Sequence, residues 1–549
     1  LFIVLFMVIA YLVEALRQKQ MARFAKATAV CAVAAVLGVV INLSNLYHTW
    51  QYTQESMRGK SELVKKNSAN QTSSGLDRDY ITQWSYGIDE TWTLLVPNTK
   101  GGASVPLAQN EKAMEKANPE FYQIYQQMGQ YWGDQPGTSG PVYVGACVMM
   151  LFVLGLFIVK GPMKWALLAA TVLSVLLSWG RNFMWFTDLF LDYVPMYAKF
   201  RTVASILVIA EFTIPLLAML ALKELIEHPE VLQEKLTMRD KLPVTIFVSW
   251  LSVFARKKRD YILISFLMTA GIALAFALMP TAFFSDFVSQ NEMRALSQIP
   301  QEYLNPLLAN LRQMRIAVFT ADCWRSFFII LIGSAFLMAF IYRKLNAKAM
   351  VGLICVLCLV DMWQIDKRYL NDGMFVEKSV RENPIQMTAT DKQILQDKTE
   401  CGNYRVLNFA SNTFSENETS YFHKSLGGYH PAKLRRYQEM IERYIQPQMQ
   451  KAMTAIVEAG GDMTKVNGDS IYPVISMLNA KYFVMPLNGG QTVPIMNPYA
   501  YGVAWFVDKV SFVDNANQEM DLMAKIDLRH EAVADKKFAR QIGNATKQD

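Results

Sequence analysis

The stretch Tyr261–Met279, YILISFLMTAGIALAFALM, runs for 19 residues without one charged side chain. A helix needs about 20 apolar residues to cross the hydrocarbon core of a bilayer. Seven other stretches are similarly apolar, two of them with a single carboxylate: Leu1–Val13, Ala27–Leu46, Pro141–Val159, Trp165–Gly180, Thr202–Leu222, Ser326–Tyr342 and Ala349–Ile365. Backbones in lipid are satisfied only by helices or closed barrels, and runs this continuous lack the alternation of barrel strands. A soluble protein would need an enormous helical core to bury all eight. The fold expected is a mainly α polytopic membrane protein with about eight transmembrane helices.

Lys and Arg crowd into every second gap between these runs. The first gap holds Arg17, Lys19, Arg23 and Lys26, and the third holds Lys160 and Lys164. The fifth holds Lys223, Lys235, Arg239, Lys241 and Arg256-Lys257-Lys258-Arg259, and the seventh Arg343, Lys344 and Lys348. The positive-inside rule places these gaps in the cytoplasm. Residues 47–140, 181–201, 280–325 and the tail from Asp366 then lie outside. The net charge of +7 follows from this sidedness. No Gly-rich phosphate loop, zinc-finger spacing or basic helix points to a nucleic-acid partner.

The expected organisation has four parts. Residues 1–46 form the first two membrane helices, and 47–140 a large extracytoplasmic loop. Residues 141–365 carry six more membrane helices, with an interfacial helix at 182–200. Residues 366–549 form a C-terminal extracytoplasmic α+β domain, with strand-like runs at 404–409, 482–485 and 502–507 and helical runs at 432–458 and 517–523. Within the large loop, 111–130 has helical composition. The chain starts inside an apolar run with no Met, and so reads as a fragment lacking an N-terminal part. Cys401 is the single cysteine deep in the tail, so the tail holds no internal disulfide. Cys355 and Cys358 form a C-x-x-C on a membrane run with no second ligand pair, and read as packing residues.

Several clusters can carry chemistry. Asp77, Asp79, Asp89 and Glu90 share one loop with Trp84, Tyr86 and Trp92. Carboxylates beside rings suit sugar chemistry, where an acid activates a hydroxyl and rings stack on the pyranose; the plain alternative is a solvated loop. Phe183, Phe186, Leu189, Phe190, Tyr193, Val194 and Tyr197 fall on one face at 3.6-residue spacing, with Asp188 and Asp192 opposite. This reads as an amphipathic helix at headgroup depth that Pro195 kinks or ends. Asp188 and Asp192 can share a divalent cation or simply face water. Arg181, Lys199 and Arg201 bracket that helix; they either hold a lipid phosphate or snorkel to headgroups. Glu211 is a carboxylate inside an apolar span, a functional candidate or a packing partner. In the tail, His423-Lys424-Ser425-Leu426-Gly427-Gly428-Tyr429-His430, followed by Lys433, Arg435 and Arg436, is the densest polar cluster and can bind an anionic group or form a solvated helix face.

Thr82-Gln83-Trp84-Ser85-Tyr86-Gly87, Leu95-Val96-Pro97-Asn98 with Gly101-Gly102, Tyr197-Ala198-Lys199-Phe200-Arg201, Ser420-Tyr421-Phe422-His423-Lys424-Ser425-Leu426-Gly427-Gly428-Tyr429 and Met477-Leu478-Asn479-Ala480-Lys481-Tyr482 resemble the Bacteroidetes form of the YfhO family of bacterial membrane proteins. The resemblance covers nearly the whole chain. It implies a GT-C-like fold in the bacterial inner membrane. It also implies transfer of a sugar from a polyprenyl-phosphate donor to a cell-envelope glycan or polymer on the extracytoplasmic face. The donor phosphate would sit near Arg181, Lys199 and Arg201, with Trp84, Tyr86, His423, Lys424 and His430 as further substrate contacts. In GT-C enzymes the catalytic Asp lies in the first outside loop, so the resemblance puts the true base upstream of residue 1 and leaves Asp77, Asp79, Asp89 and Glu90 as substitutes. The rival reading is a transporter, flippase or assembly scaffold for envelope glycans, with Glu211 as a coupling group; no inverted repeat is visible to support it.

Overall fold

The computed structural model describes residues 2–64, 70–72, 75–229 and 259–542, leaving aside the side chains of 400, 401 and 488. Lys235, Arg239, Lys241, Arg256, Lys257 and Lys258, and the side chain of Cys401, lie outside the described residues. The chain divides into two units. Leu1–Ile41 and Arg78–Phe375 form the first; Asn42–Asp77 and Val376–Asp549 form the second.

The first unit is helical: α1 (Phe2–Arg17), α2 (Met21–Ile41), α3 (Ala146–Ile158), α4 (Met163–Ser178), α5 (Met184–Tyr193), α6 (Val208–Glu227), α7 (Asp260–Leu278), α8 (Gln301–Ile341) and α9 (Ala347–Tyr369). Among the described residues, five helices are long and apolar enough to cross a membrane: α2, α6, α7, α8 and α9. A sixth span arises if α4 and the Gly180–Tyr193 stretch, bent by 108°, count as one. Eight were expected. The shortfall lies in α1, α3 and, unless joined across its bend, α4, which have 16, 13 and 16 residues. α3 starts late because Gly145 is left-handed (φ 96°) and Asp361 takes the Ala146 N–H at 3.0 Å.

α2 makes the physical case for lipid. Beyond Arg23 and Lys26 near its start it is apolar all round, and none of its residues is buried. Val30, Val33, Val36, Leu37, Val39, Val40 and Ile41 are all more than half exposed. Burying such a side chain is worth about 1.5–3 kcal/mol. Seven left bare in water would forgo on the order of 10 kcal/mol, comparable to the whole stability of a typical domain. An apolar surround removes that penalty.

The core of this unit gathers α3, α6, α7, α8 and α9. Gly155 of α3 lets α6 approach: a Cβ there would stand 2.9 Å from the Leu217 carbonyl oxygen. Cys358 packs against this core and Cys355 is exposed, both as free thiols. At about 1.5 Å per residue the 41-residue α8 is about 60 Å long, twice the ~30 Å hydrocarbon core. Its first half packs Leu307, Leu311, Met314 and Val318 on Leu107, Phe121 and Tyr125 of the long loop. The 111–130 segment is not one helix. Asn110 and Asn118 cap separate turns, at 3.2 Å to the Ala113 N–H and 3.1 Å to the Glu120 N–H, and Pro119 starts the second.

The second unit is α+β. Three strands, β1 (Arg405–Asn408), β2 (Ala480–Pro486) and β3 (Thr492–Met496), lie in the order β1-β2-β3, the first pair parallel and the second antiparallel. β4 (Lys509–Val513) and β5 (Glu531–Asp535) pair in parallel. The run 502–507 holds no strand; β3, β4 and β5 were not anticipated. Helical residues 435–458 and Ala516–Met523 fall where expected. Residues 42–77 belong here, 42–46 rather than with the second membrane helix and 47–77 rather than with the rest of the long loop. Lys433 takes the Met57 N–H at 2.8 Å, Glu439 takes the Ser61 hydroxyl at 2.5 Å, and the buried Arg435 donates to the Gly59 and Gly75 carbonyls at 3.1 Å each.

Candidate functional site

In the first unit the motif stretches converge. The chain after α5 turns at Met196 and Thr202, both left-handed (φ 66°). A non-glycine residue in that conformation costs about 1–2 kcal/mol. The two strained residues bracket Tyr197–Arg201, and the Thr202 and Ala204 N–H groups bond the Ile81 and Trp84 carbonyls at 3.3 and 3.2 Å. Arg201 is thereby held against two rings, its guanidinium carbon 5.0 Å from the centroid of Tyr80 and 5.0 Å from that of Trp84. It also donates to the Tyr80 hydroxyl. A planar, delocalised guanidinium can lie against rings by its face, whereas a Lys ammonium meets a ring only as a point charge.

Gly180 sits at the bend between α4 and α5 (φ 44°), where a Cβ would overlap the Ser85 hydroxyl. Next to it the Arg181 N–H bonds the Ser85 Oγ at 2.8 Å, and the Arg181 guanidinium bonds the Asp134 carbonyl at 2.6 Å. A cavity of about 500 Å³ opens here, lined by Asp79, Tyr80, Thr82, Gln83 and Arg181. Burial lowers the pKa of Lys199 from the usual ammonium value.

The carboxylates take different roles. Asp188 and Asp192 do lie one turn apart on α5, but Arg78 fills the space between them, at 2.9 and 2.5 Å. The guanidinium offsets one of the two negative charges and occupies the position a shared cation would take, while both carboxylates keep an edge in solvent (38% and 43% exposed), as the solvated-face alternative expected. Among the described residues no group of three or more His, Cys, Asp or Glu can hold a metal. Asp89 pairs with Lys100 at 2.6 Å. Glu90 is buried, accepting from the Gly87 N–H at 3.1 Å, the Tyr131 hydroxyl at 2.9 Å and Gln135 at 3.2 Å. Burial pushes its carboxyl up to about 7 against the pull of these donors. Tyr86 is also buried, its hydroxyl 2.6 Å from the Thr93 Oγ1, which does not fit a sugar-stacking role. Asp77 belongs to the second unit. Of the four loop acids, Asp79 lines the cavity.

Sequence reading missed a second cluster. Asp322 of α8 accepts both Nη groups of Arg368 of α9, at 2.7 and 2.8 Å, and the Asn98 N–H at 3.2 Å. Asp361 of α9 accepts from Arg325 of α8 at 2.6 Å and from the Tyr143 hydroxyl at 2.9 Å. The signal was present: ionisable residues within or beside apolar runs, which mark functional or pairing positions. Glu211 stands apart. It is exposed on the first turn of α6 with no hydrogen bond or ion pair among the described residues.

In the second unit His423 is 2% exposed and bonds Asp391 at 2.8 Å, while Lys424 bonds Asn403. The exposed His430 accepts the Ala432 N–H at 3.2 Å through Nδ1. Gly428 (φ 103°) turns the chain so that its N–H meets the Thr413 carbonyl at 2.7 Å. These contacts fold the cluster onto its own unit. A cavity of about 470 Å³ remains beside it, lined by Asp397, Lys398, Tyr404, Tyr421, His423 and Lys424 among others.

No family model matches this chain, and neither a curated protein nor a solved structure does.

Proposed function

We propose that the protein is a membrane glycosyltransferase of GT-C type that uses a polyprenyl-phosphate sugar. The observation that supports this best is the cavity holding Asp79 and Arg181, with Arg201 clamped on its Tyr80 wall. Fixed cations stabilise a departing phosphate because they need no reorganisation as charge develops. In the proposed step an acceptor hydroxyl oxygen bonds the anomeric carbon and its proton passes to Asp79. The bond from that carbon to the phosphate oxygen breaks, and polyprenyl phosphate leaves with the electron pair. Arg181 and Lys199 bind the phosphate, Arg201 positions Tyr80 and Trp84, and the lipid tail runs between helices. This reading places the protein in the bacterial inner membrane, with the long loop and the tail outside the cytoplasm and an envelope glycan as acceptor.

Glu211 supports a second reading, a transporter, flippase or scaffold, because an unpaired carboxylate in an apolar span is costly unless used. The test incubates membranes holding the full chain with labelled polyprenyl-phosphate sugar. Label entering an envelope glycan, and lost in Asp79→Asn, is the result expected. Translocated but untransferred label overturns the enzyme in favour of transport.

A further inference from the structure

A second groove, of about 550 Å³, lies between α1 and α4. Its walls are apolar: Phe6, Ile9, Ala10 and Val13 of α1 face Ala166 and Ala169 of α4. One end is polar, where Glu14, Arg17 and Trp165 line the same space. Arg17 has no hydrogen bond or ion pair among the described residues. Glu14 uses one oxygen, Oε1, to accept from Gln18 at 2.5 Å, and its second oxygen is left over. The two charges are three residues apart on one helix, so they share a face. Trp165 is half exposed, with the Lys164 ammonium 5.4 Å from its ring, a pairing suited to headgroup depth.

The groove is separate from the cavity at Arg181. Its polar end meets the first turn of α4, whereas Arg181 follows the last, and 16 residues of helix put about 24 Å between them.

We propose that this groove binds a glycerophospholipid with a phosphoethanolamine headgroup. One acyl chain lies between α1 and α4, the phosphate meets Arg17 and the ammonium meets Glu14. Charge complementarity selects this occupant. An anionic headgroup such as glycerol phosphate satisfies Arg17 but brings nothing to Glu14. A choline headgroup carries the positive charge without an N–H to donate, so it forfeits the charge-assisted hydrogen bond. A free sugar or phosphate gains nothing from the apolar walls.

The test purifies the full chain in mild detergent and incubates it with an equal mixture of phosphatidylethanolamine, phosphatidylglycerol and phosphatidylcholine of identical acyl chains. Native mass spectrometry then reads the lipid retained. Phosphatidylethanolamine should be enriched over phosphatidylcholine by about tenfold, the worth of a hydrogen bond to a charged group. Arg17→Gln, an exposed position, should lose most of the retained lipid. Glu14→Gln should keep lipid but abolish the preference over phosphatidylglycerol. Ala10→Phe fills the groove without touching either charge and should also release lipid; Ala169→Phe repeats that from the other wall should Ala10→Phe fail to fold. Equal retention of all three lipids by the wild type, or unchanged retention in Arg17→Gln or in a folded groove-filling variant, overturns the proposal.

Discussion

Asp322 on α8 and Arg368 on α9 meet in a two-pronged ion pair, and three residues further along α8 Arg325 reaches back to Asp361 in the reverse sense. The same two helices thus exchange a carboxylate and a guanidinium in each direction. Removing one partner of a buried pair leaves an uncompensated charge, at about 3–5 kcal/mol. Asp322→Leu should therefore destabilise strongly, and Asp322→Leu with Arg368→Met should recover part of the loss. Asp361→Leu should be the worst single change, because it removes the counter-charge of Arg325 and the acceptor of the Tyr143 hydroxyl together, leaving Arg325 only the residue 361 carbonyl and Gln364. Denaturant titration of detergent-purified variants measures the order.

Glu90 gives a pH dependence with a definite sign. Its carboxyl is raised from the ordinary 4.5 to about 7 in the folded chain. The folded state therefore holds a proton that the unfolded state releases. Its contribution is fully present below about pH 4.5 and is lost as pH rises through 7. At ~1.4 kcal/mol per unit the swing is on the order of 3 kcal/mol. Glu90→Gln should remove it, so the stability of the variant relative to wild type should climb between pH 4.5 and 7. A difference that stays flat across that window would refute the buried-acid account.

Arg201→Lys keeps the charge and gives up the double stack on Tyr80 and Trp84. If the clamp sets the wall of the cavity, transfer should fall about tenfold or more, since each stacked contact is worth roughly 0.5–2 kcal/mol. Arg201→Ala should fall further, while Arg343→Ala, remote in sequence, should leave transfer near wild type. The assay is the labelled-donor transfer; equal effects at Arg201 and Arg343 would discredit the site.

Gly102 is left-handed (φ 78°), and a Cβ there would stand 2.6 Å from the Asn98 Oδ1 and overlap the Tyr369 hydroxyl. Both of those oxygens are buried without a hydrogen-bond partner among the described residues. Gly102→Ala should cost about 2 kcal/mol or more, from conformational strain and overpacking. Tyr369→Phe should cost little alone, because it removes a group that makes no bond. Combined, the two should be less unstable than Gly102→Ala by itself, as read from thermal unfolding in detergent.

The apolar runs and the ring-bearing face of α5 were legible because they are local. Phe183, Phe186 and Phe190 touch in succession, as their spacing implied, and Tyr197 joins them from beyond the turn at Met196. Motif glycines were visible too, and Gly101, Gly102 and Gly428 all take positive φ. What escaped was pairing at long range. Asp188 and Asp192 read as either a shared cation site or a solvated face, and their actual partner, Arg78, was invisible because it lies 110 residues away from the first of them. Residues 47–77 read as part of the adjoining loop, and 42–46 as the end of a membrane span, because their partners lie more than 350 residues downstream. Periodicity carries no information about such partners.

The Gly180 bend has a mechanical consequence. α5 is tied at its start through the Arg181 N–H and Asn182, which bonds the Tyr86 carbonyl at 2.9 Å and Asp134 at 3.0 Å. It is tied at its end through Asp188 and Asp192 to Arg78. A rod bolted at both ends is a crossbar, not a flap. The neighbouring cavity is lined by Asp79, Tyr80, Thr82, Gln83 and Arg181, so a change in its width has to come from those residues rather than from a swing of this helix.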